Sequence, residues 1–222
     1  MKERPILFSG PMVRAILEGQ KTVTRRPVKP QYMEGPWSVR RTEAPRYDRH
    51  SHDWWLPTGS QPYAALPPCP YGQPGDRLWV REAWLADAQL DSIAPRDLSL
   101  GEPILYPADG SLRQTGCAMV SQGRGRPSIH MPRWASRILL EVTDVRVERL
   151  QDISEDQCIA EGIERCIPGC QSPYDGDGAP ECDCMNLSYE ESFQALWTSI
   201  NGAKSWSSNP WVWVVEFKRI QP

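Results

Sequence analysis

The sequence predicts an α+β domain built around a small, strongly curved sheet or barrel. Three observations predict it. Short β-branched runs and amphipathic helical stretches follow one another in the order βαβ…β…βα(loop)αβ. With 24% charged and 40% apolar residues, the composition is that of a soluble globular chain and not a disordered one. The 222 residues suffice for a single domain, 1–222, carrying insertions at about 30–70, 86–125 and 166–188. No run of about 18 apolar residues occurs, so no membrane span is expected. MKERPILFSG has no long apolar core and no small-residue cleavage site, which points to the cytoplasm.

Along the chain, ILF at 6–8 reads as a strand. Pro11 suits a first helical position, and Met12, Val13, Ile16 and Leu17 fall on one helical face. Gly19 ends that helix as a left-handed cap, and KTVTRR starts a second strand. Residues 30–70 show little periodicity and read as a long surface insertion. QPGD is a turn, and RLWVREAW is a strand with Leu78, Val80 and Glu82 on one face. Residues 86–125 read as loop, with GRGRP at 123–127. RILLEVTDVRVERL is the clearest strand. ISEDQCIAEGI reads as a helix with Ser154 as its N-cap and Gly162 as its stop. SYEESFQALWTSIN is a helix with Phe193, Leu196, Trp197 and Ile200 on one stripe, and WVWVVEFKRI closes the chain as a strand. Ten tryptophans are many for this length; Trp79, Trp84, Trp134, Trp197, Trp211 and Trp213 are expected to anchor the core.

Charge is unevenly spread. Residues 1–30 carry seven bases against two acids, a balance of +5, and 151–192 carry one base against eleven acids, a balance of −10. The basic opening can meet phosphate. Within the acidic stretch, Cys166, Cys170, Cys182 and Cys184 form a Cys-x3-Cys, eleven-residue, Cys-x-Cys pattern. Four thiolates in a turn-rich loop can close around a structural zinc; free thiols in an acidic insertion are the other reading. Only three histidines occur, so a His-based catalytic metal centre is not expected, nor is an organic cofactor. Cys69, Cys117 and Cys158 read as ordinary small residues.

Lys21, Thr24, Arg25 and Arg26 form half of a candidate site. A lysine beside a hydroxyl can act as its base if burial lowers the amine's pKa. On a regular strand, positions three apart face opposite sides, so Lys21 and Thr24 converge only if the chain is still turning after Gly19. A second basic stretch, GRGRPSIHMPRW, places Arg124, Arg126, His130, Arg133 and Trp134 together, a pattern suited to phosphate contact and base stacking, or to a plain surface loop.

AILEGQKTVTRR resembles the opening motif of the ASCH domain, a member of the PUA-like superfamily: a helix, a glycine, then Lys-x-x-Thr with a following arginine. PGDRLWVRE, VRVERLQDISEDQCIAEGI and VWVVEFKRI are similar to the family's Gly-Asp turn, its strand and helix with a late glutamate, and its closing strand. Together these pieces cover about half of the chain. The whole pattern, with SIHMPRWASRI, is similar to larger ASCH proteins carried by tailed phages and prophages. The resemblance implies a PUA-like β-barrel with flanking helices and binding of RNA or nucleotides, with DNA possible. One branch of the family hydrolyses 4-acetylcytidine to cytidine and acetate with a lysine, a threonine and a glutamate. Lys21 and Thr24 match the first two, and Glu161 matches the third. Either Lys21 is the base for Thr24, or Glu161 is the base and Lys21 holds the oxyanion. Arg25 or Arg26 would hold phosphate or a base edge. Non-catalytic binding of nucleic acid, amidohydrolysis, ribonuclease action and a partner-binding role all stay open on the sequence.

Overall fold

The computed structural model describes residues 1–31, 36–163 and 187–221. In chain order the regular elements are β1 (Glu3–Leu7), α1 (Gly10–Leu17), β2 (Val23–Pro27), β3 (Ser38–Arg41), β4 (His52–Trp55), β5 (Ala64–Ala65) and β6 (Arg77–Arg81). They continue with β7 (Ile104–Tyr106), β8 (Ser111–Arg113), β9 (Leu139–Arg149), α2 (Glu155–Ala160), α3 (Tyr189–Asn201) and β10 (Trp211–Ile220). The expected α+β class is therefore observed. The chain divides into two compact units, Met1–Gln20 with Tyr71–Thr143 and Phe217–Pro222, and Lys21–Pro70 with Asp144–Glu216. Among the described residues, no helix is long and apolar enough to cross a membrane.

In the first unit the sheet runs β1-β6-β9, open at β1. β1 pairs parallel with β6, Glu3 opposite Arg77 and Leu7 opposite Arg81. β6 pairs antiparallel with the start of β9, Trp79 opposite Leu139. Helix α1 has a proline in its first turn and buries Val13, Ala15 and Ile16. It ends as expected: Gly19 takes φ 79°, the Gln20 N–H donates to Ala15 O at 2.8 Å and the Gly19 N–H to Ile16 O at 3.2 Å. That pair of bonds is a Schellman closure, which a residue with a Cβ adopts only under strain.

The stretch 86–125, expected as loop, contributes to a core. β7 and β8 form a hairpin there. Ile104 and Tyr106 pack with Trp84, Ala86, Leu98, Met131 and Ala135. The Tyr106 hydroxyl donates to Ala135 O at 2.7 Å, so its polar tip is satisfied. Glu82, 1% exposed, takes a two-pronged contact from Arg137, Nε to Oε1 at 2.9 Å and Nη2 to Oε2 at 2.8 Å.

In the second unit, β2 pairs antiparallel with β10, Val23 opposite Glu216 and Pro27 opposite Val212, and the strand order is β9-β10-β2. Val23, Val212 and Val214 share one face and pack with Leu150, Ile153, Cys158, Phe193 and Trp197. Both helices carry capping boxes, Ser154 with Gln157 and Ser188 with Glu191. Of the predicted stripe on α3, Phe193 and Trp197 are buried, while Ile200 is 53% exposed.

The stretch 30–70, expected as a surface insertion, also folds inward where it is described. β3, β4 and β5 form an antiparallel sheet. Trp54 is fully buried, edge-on to Trp211 at 6.0 Å, and His52 meets Trp213 edge-on at 5.8 Å. Burial, followed by the nearby Arg41 cation, pushes His52 down to about 4, so it sits neutral against the indole.

Candidate functional site

The site lies wholly in the second unit. Lys21 opens that unit, two residues before β2, and the Thr22 N–H fastens the segment to the end of α2 by donating to Ala160 O at 2.8 Å. Glu161 is the C-cap of α2, and Gly162, at φ 74°, turns the chain away after it. These two local stops bring the lysine and the carboxylate together across 140 positions of sequence.

The Lys21 Nζ donates to Glu161 Oε2 at 2.5 Å, to Glu161 O at 2.8 Å and to Val23 O at 2.8 Å. Three acceptors match the three N–H bonds of an ammonium; a neutral amine has only two. The Lys21 side chain is 0% exposed and that of Glu161 is 5%. Burial pushes the Lys21 ammonium below its ordinary value, and the Glu161 carboxylate opposes that shift.

Arg25 completes the cluster. Its Nη2 donates to Gln157 Oε1 at 2.8 Å and to Glu148 Oε2 at 3.4 Å. Its Nη1 stands 3.5 Å from Glu161 Oε1. Arg25 Nε and Nη1 and Glu161 Oε1 are buried and make no hydrogen bond among the described residues. Two donors and one acceptor, side by side, therefore keep unspent capacity.

Gln157, Glu148 and Arg146 contribute to the site with little signal in the sequence taken alone. Gln157 accepts from both Arg25 and the Ser154 N–H, at 2.8 and 3.0 Å, so the capping box of α2 also sets the arginine. Glu148 bridges Arg25 to Arg146, which also reaches Glu216. The only available hint is the alternation of Asp144, Arg146 and Glu148 along one face of β9.

Thr24 is 1% exposed and sits opposite Val215. The pleat puts its side chain on the opposite face of β2 from Val23 and Arg25. Arg26, opposite Trp213, shares the Thr24 face. The sequence-derived site thus splits: Lys21, Arg25 and Glu161 meet, and Thr24 and Arg26 lie on the other side of the strand.

The second basic stretch belongs to the first unit. Arg126 is 4% exposed and committed inward, Nη1 to Ile93 O at 2.9 Å and Nη2 to Leu90 O at 2.6 Å, beside Trp84. Arg133 Nε donates to Glu3 Oε2 at 2.9 Å. Arg124 and His130 are exposed. Cys166, Cys170, Cys182 and Cys184 lie outside the described residues. Of the described cysteines, Cys69 and Cys158 are buried and Cys117 is exposed. Burial pushes Cys158 up to about 12, a thiol with no reactive character. Among the described residues, no cluster of three or more His, Cys, Asp or Glu is arranged to hold a metal ion.

Comparison of the chain with family models, with curated proteins and with solved structures finds no match.

Proposed function

We propose that this chain is an ASCH-type, PUA-like protein of the larger phage and prophage kind, acting in the bacterial cytoplasm, that binds a nucleotide or an unpaired base of RNA or DNA. The observation that carries this reading is the buried contact of Lys21 with Glu161, joined by an arginine with donors to spare. The Arg25 N–H groups and Glu161 Oε1 complement two neighbouring acceptors followed by an amine, which is the O2, N3 and N4 edge of cytosine. The site is shielded from water, so each such bond counts for more than on the surface.

The test is titration calorimetry with cytidine. Saturable binding is expected, weakened about tenfold or more in Glu161→Gln, since a hydrogen bond to a charged group contributes about 1.5–3 kcal/mol. No binding by the wild-type chain overturns the reading.

Amidohydrolysis is the second reading, supported by the buried Lys21–Glu161 pair with Arg25 beside it. With all three Lys21 N–H bonds engaged, the version with Glu161 as base is the better fit. Glu161 takes a proton from water, the oxygen attacks the acyl carbon, and the Arg25 N–H groups that make no other hydrogen bond hold the oxyanion. The C–N bond then breaks, and the proton passes to the leaving amine, giving cytidine and acetate from 4-acetylcytidine. Chromatography of the mixture decides it: turnover abolished in Lys21→Ala is expected, and no turnover by the wild type removes this reading.

A structural zinc on Cys166, Cys170, Cys182 and Cys184 belongs to the same proposal and is supported by their spacing. Metal analysis of the purified protein should find about one equivalent of zinc, lost together with any pair of these cysteines.

A further inference from the structure

The three-stranded sheet β3-β4-β5 carries a cleft of about 440 Å³, within the range of small-molecule sites. Arg40, Arg41, Arg46, Thr42, Trp55 and Asp53 line it, and every one of them belongs to the second unit. The Arg40 guanidinium lies 4.7 Å over the Trp55 ring. Arg41 has a 72% exposed side chain, and Arg46 is exposed. Arg41 reaches the half-buried Asp144 at 3.5 Å, a distance at which an incoming anion competes easily. Three guanidinium groups against Asp53 and Glu43 leave this one cleft positive on a chain whose net charge is −3.

The cleft is held from beneath. His50 is buried, and its Nδ1 accepts the Arg46 N–H at 3.1 Å. That fixes the imidazole proton on Nε2, which donates to Asp53 Oδ1 and to His52 O, both at 3.0 Å. One imidazole therefore ties the Arg46 backbone to the Asp53 carboxylate. The charged acceptor and the cationic wall are thus positioned by the same buried ring and not by surface side chains alone.

We infer that this cleft is a nucleotide site separate from the Lys21 cluster. Arg41 and Arg46 take the phosphate, whose oxygens suit planar guanidinium donors. The Arg40–Trp55 stack provides a flat face for the base, since a ring can stack on either partner. Asp53 supplies an acceptor for an exocyclic amine. A free nucleotide and one nucleotide of a single strand present the same chemistry here.

The experiment titrates the full chain at low salt with CMP, cytidine, tripolyphosphate and the oligomer (dC)8. Saturable binding of CMP or (dC)8 is expected, weakened about tenfold or more in the double variant Arg41→Ala, Arg46→Ala. Both replaced side chains are exposed, and an unchanged melting temperature confirms the fold. Trp55→Leu should weaken CMP and leave tripolyphosphate unaffected. Tighter CMP identifies a free nucleotide as the ligand, and tighter (dC)8 identifies a strand. The inference does not rest on the Lys21 reading: cytidine, which lacks phosphate, reports on that cluster, and the phosphate-dependent share reports on the cleft. Failure of CMP and (dC)8 to bind, binding unchanged in the double variant, or tripolyphosphate held as tightly as CMP overturns it.

Discussion

Glu161→Ala should destabilise the chain by about 3–5 kcal/mol, the cost of leaving a buried cation without its partner. Lys21 loses the shortest of its three acceptors while its side chain stays at 0% exposure. Arg25 loses the carboxylate 3.5 Å from Nη1 and keeps Gln157 and the more distant Glu148. The ordinary surface pairs of the chain behave differently: Arg96 with Asp97, 88% and 60% exposed, is worth about 0–1 kcal/mol. Urea denaturation measures the difference. The double variant Lys21→Met, Glu161→Leu should recover much of the loss, because two apolar side chains of similar volume avoid the desolvation of both charges. A cost below about 1 kcal/mol for Glu161→Ala would mean that water reaches the pair.

Trp54→Ala should cost about 3–5 kcal/mol as well, through a cavity rather than a stranded charge. The indole is 0% exposed and meets Trp211 edge-on. Its removal opens space beneath β4 that rigid strand neighbours fill only in part. Asp48→Ala, on an exposed position of the same stretch, should stay within about 0.5 kcal/mol. Equal small effects at both positions would make the segment an ornament of the fold; the expected contrast makes it part of the core.

That contrast bears on what the sequence discloses. Long elements are legible because they repeat their pattern. The strand at 139–149, the closing strand at 211–220 and the α1 helix with its Gly19 stop are observed where the periodicity puts them. β3, β4 and β5 have four, four and two residues, and β7 and β8 have three each. Strands of that length complete one or two alternations, and their burial comes from what packs on them. SVRR and HDWW carry charge and aromatic bulk together, so Trp54 gives no sign that it outranks Trp134, which is only half-buried.

The site was legible in a different way. Nothing local links Lys21 to Glu161; the motif resemblance named both, and the two helix stops bring them into contact. Arg25 looks from sequence like a phosphate ligand, yet its guanidinium is buried among Gln157, Glu148 and Glu161. Glu148 and Gln157 lie 123 and 132 positions from Arg25, too far for any spacing rule to join them.

The second unit is written in two pieces, 21–70 and 144–216, with 73 residues of the first unit between them. During translation, at about 5–20 residues per second, β2 leaves the ribosome long before β10 exists to pair with it. The nascent Lys21 likewise waits for its counter-ion, so the polar cluster is an event of late synthesis. A chain halted before residue 211 leaves β2 without its partner strand, with an unpaired edge open to chaperone capture or aggregation.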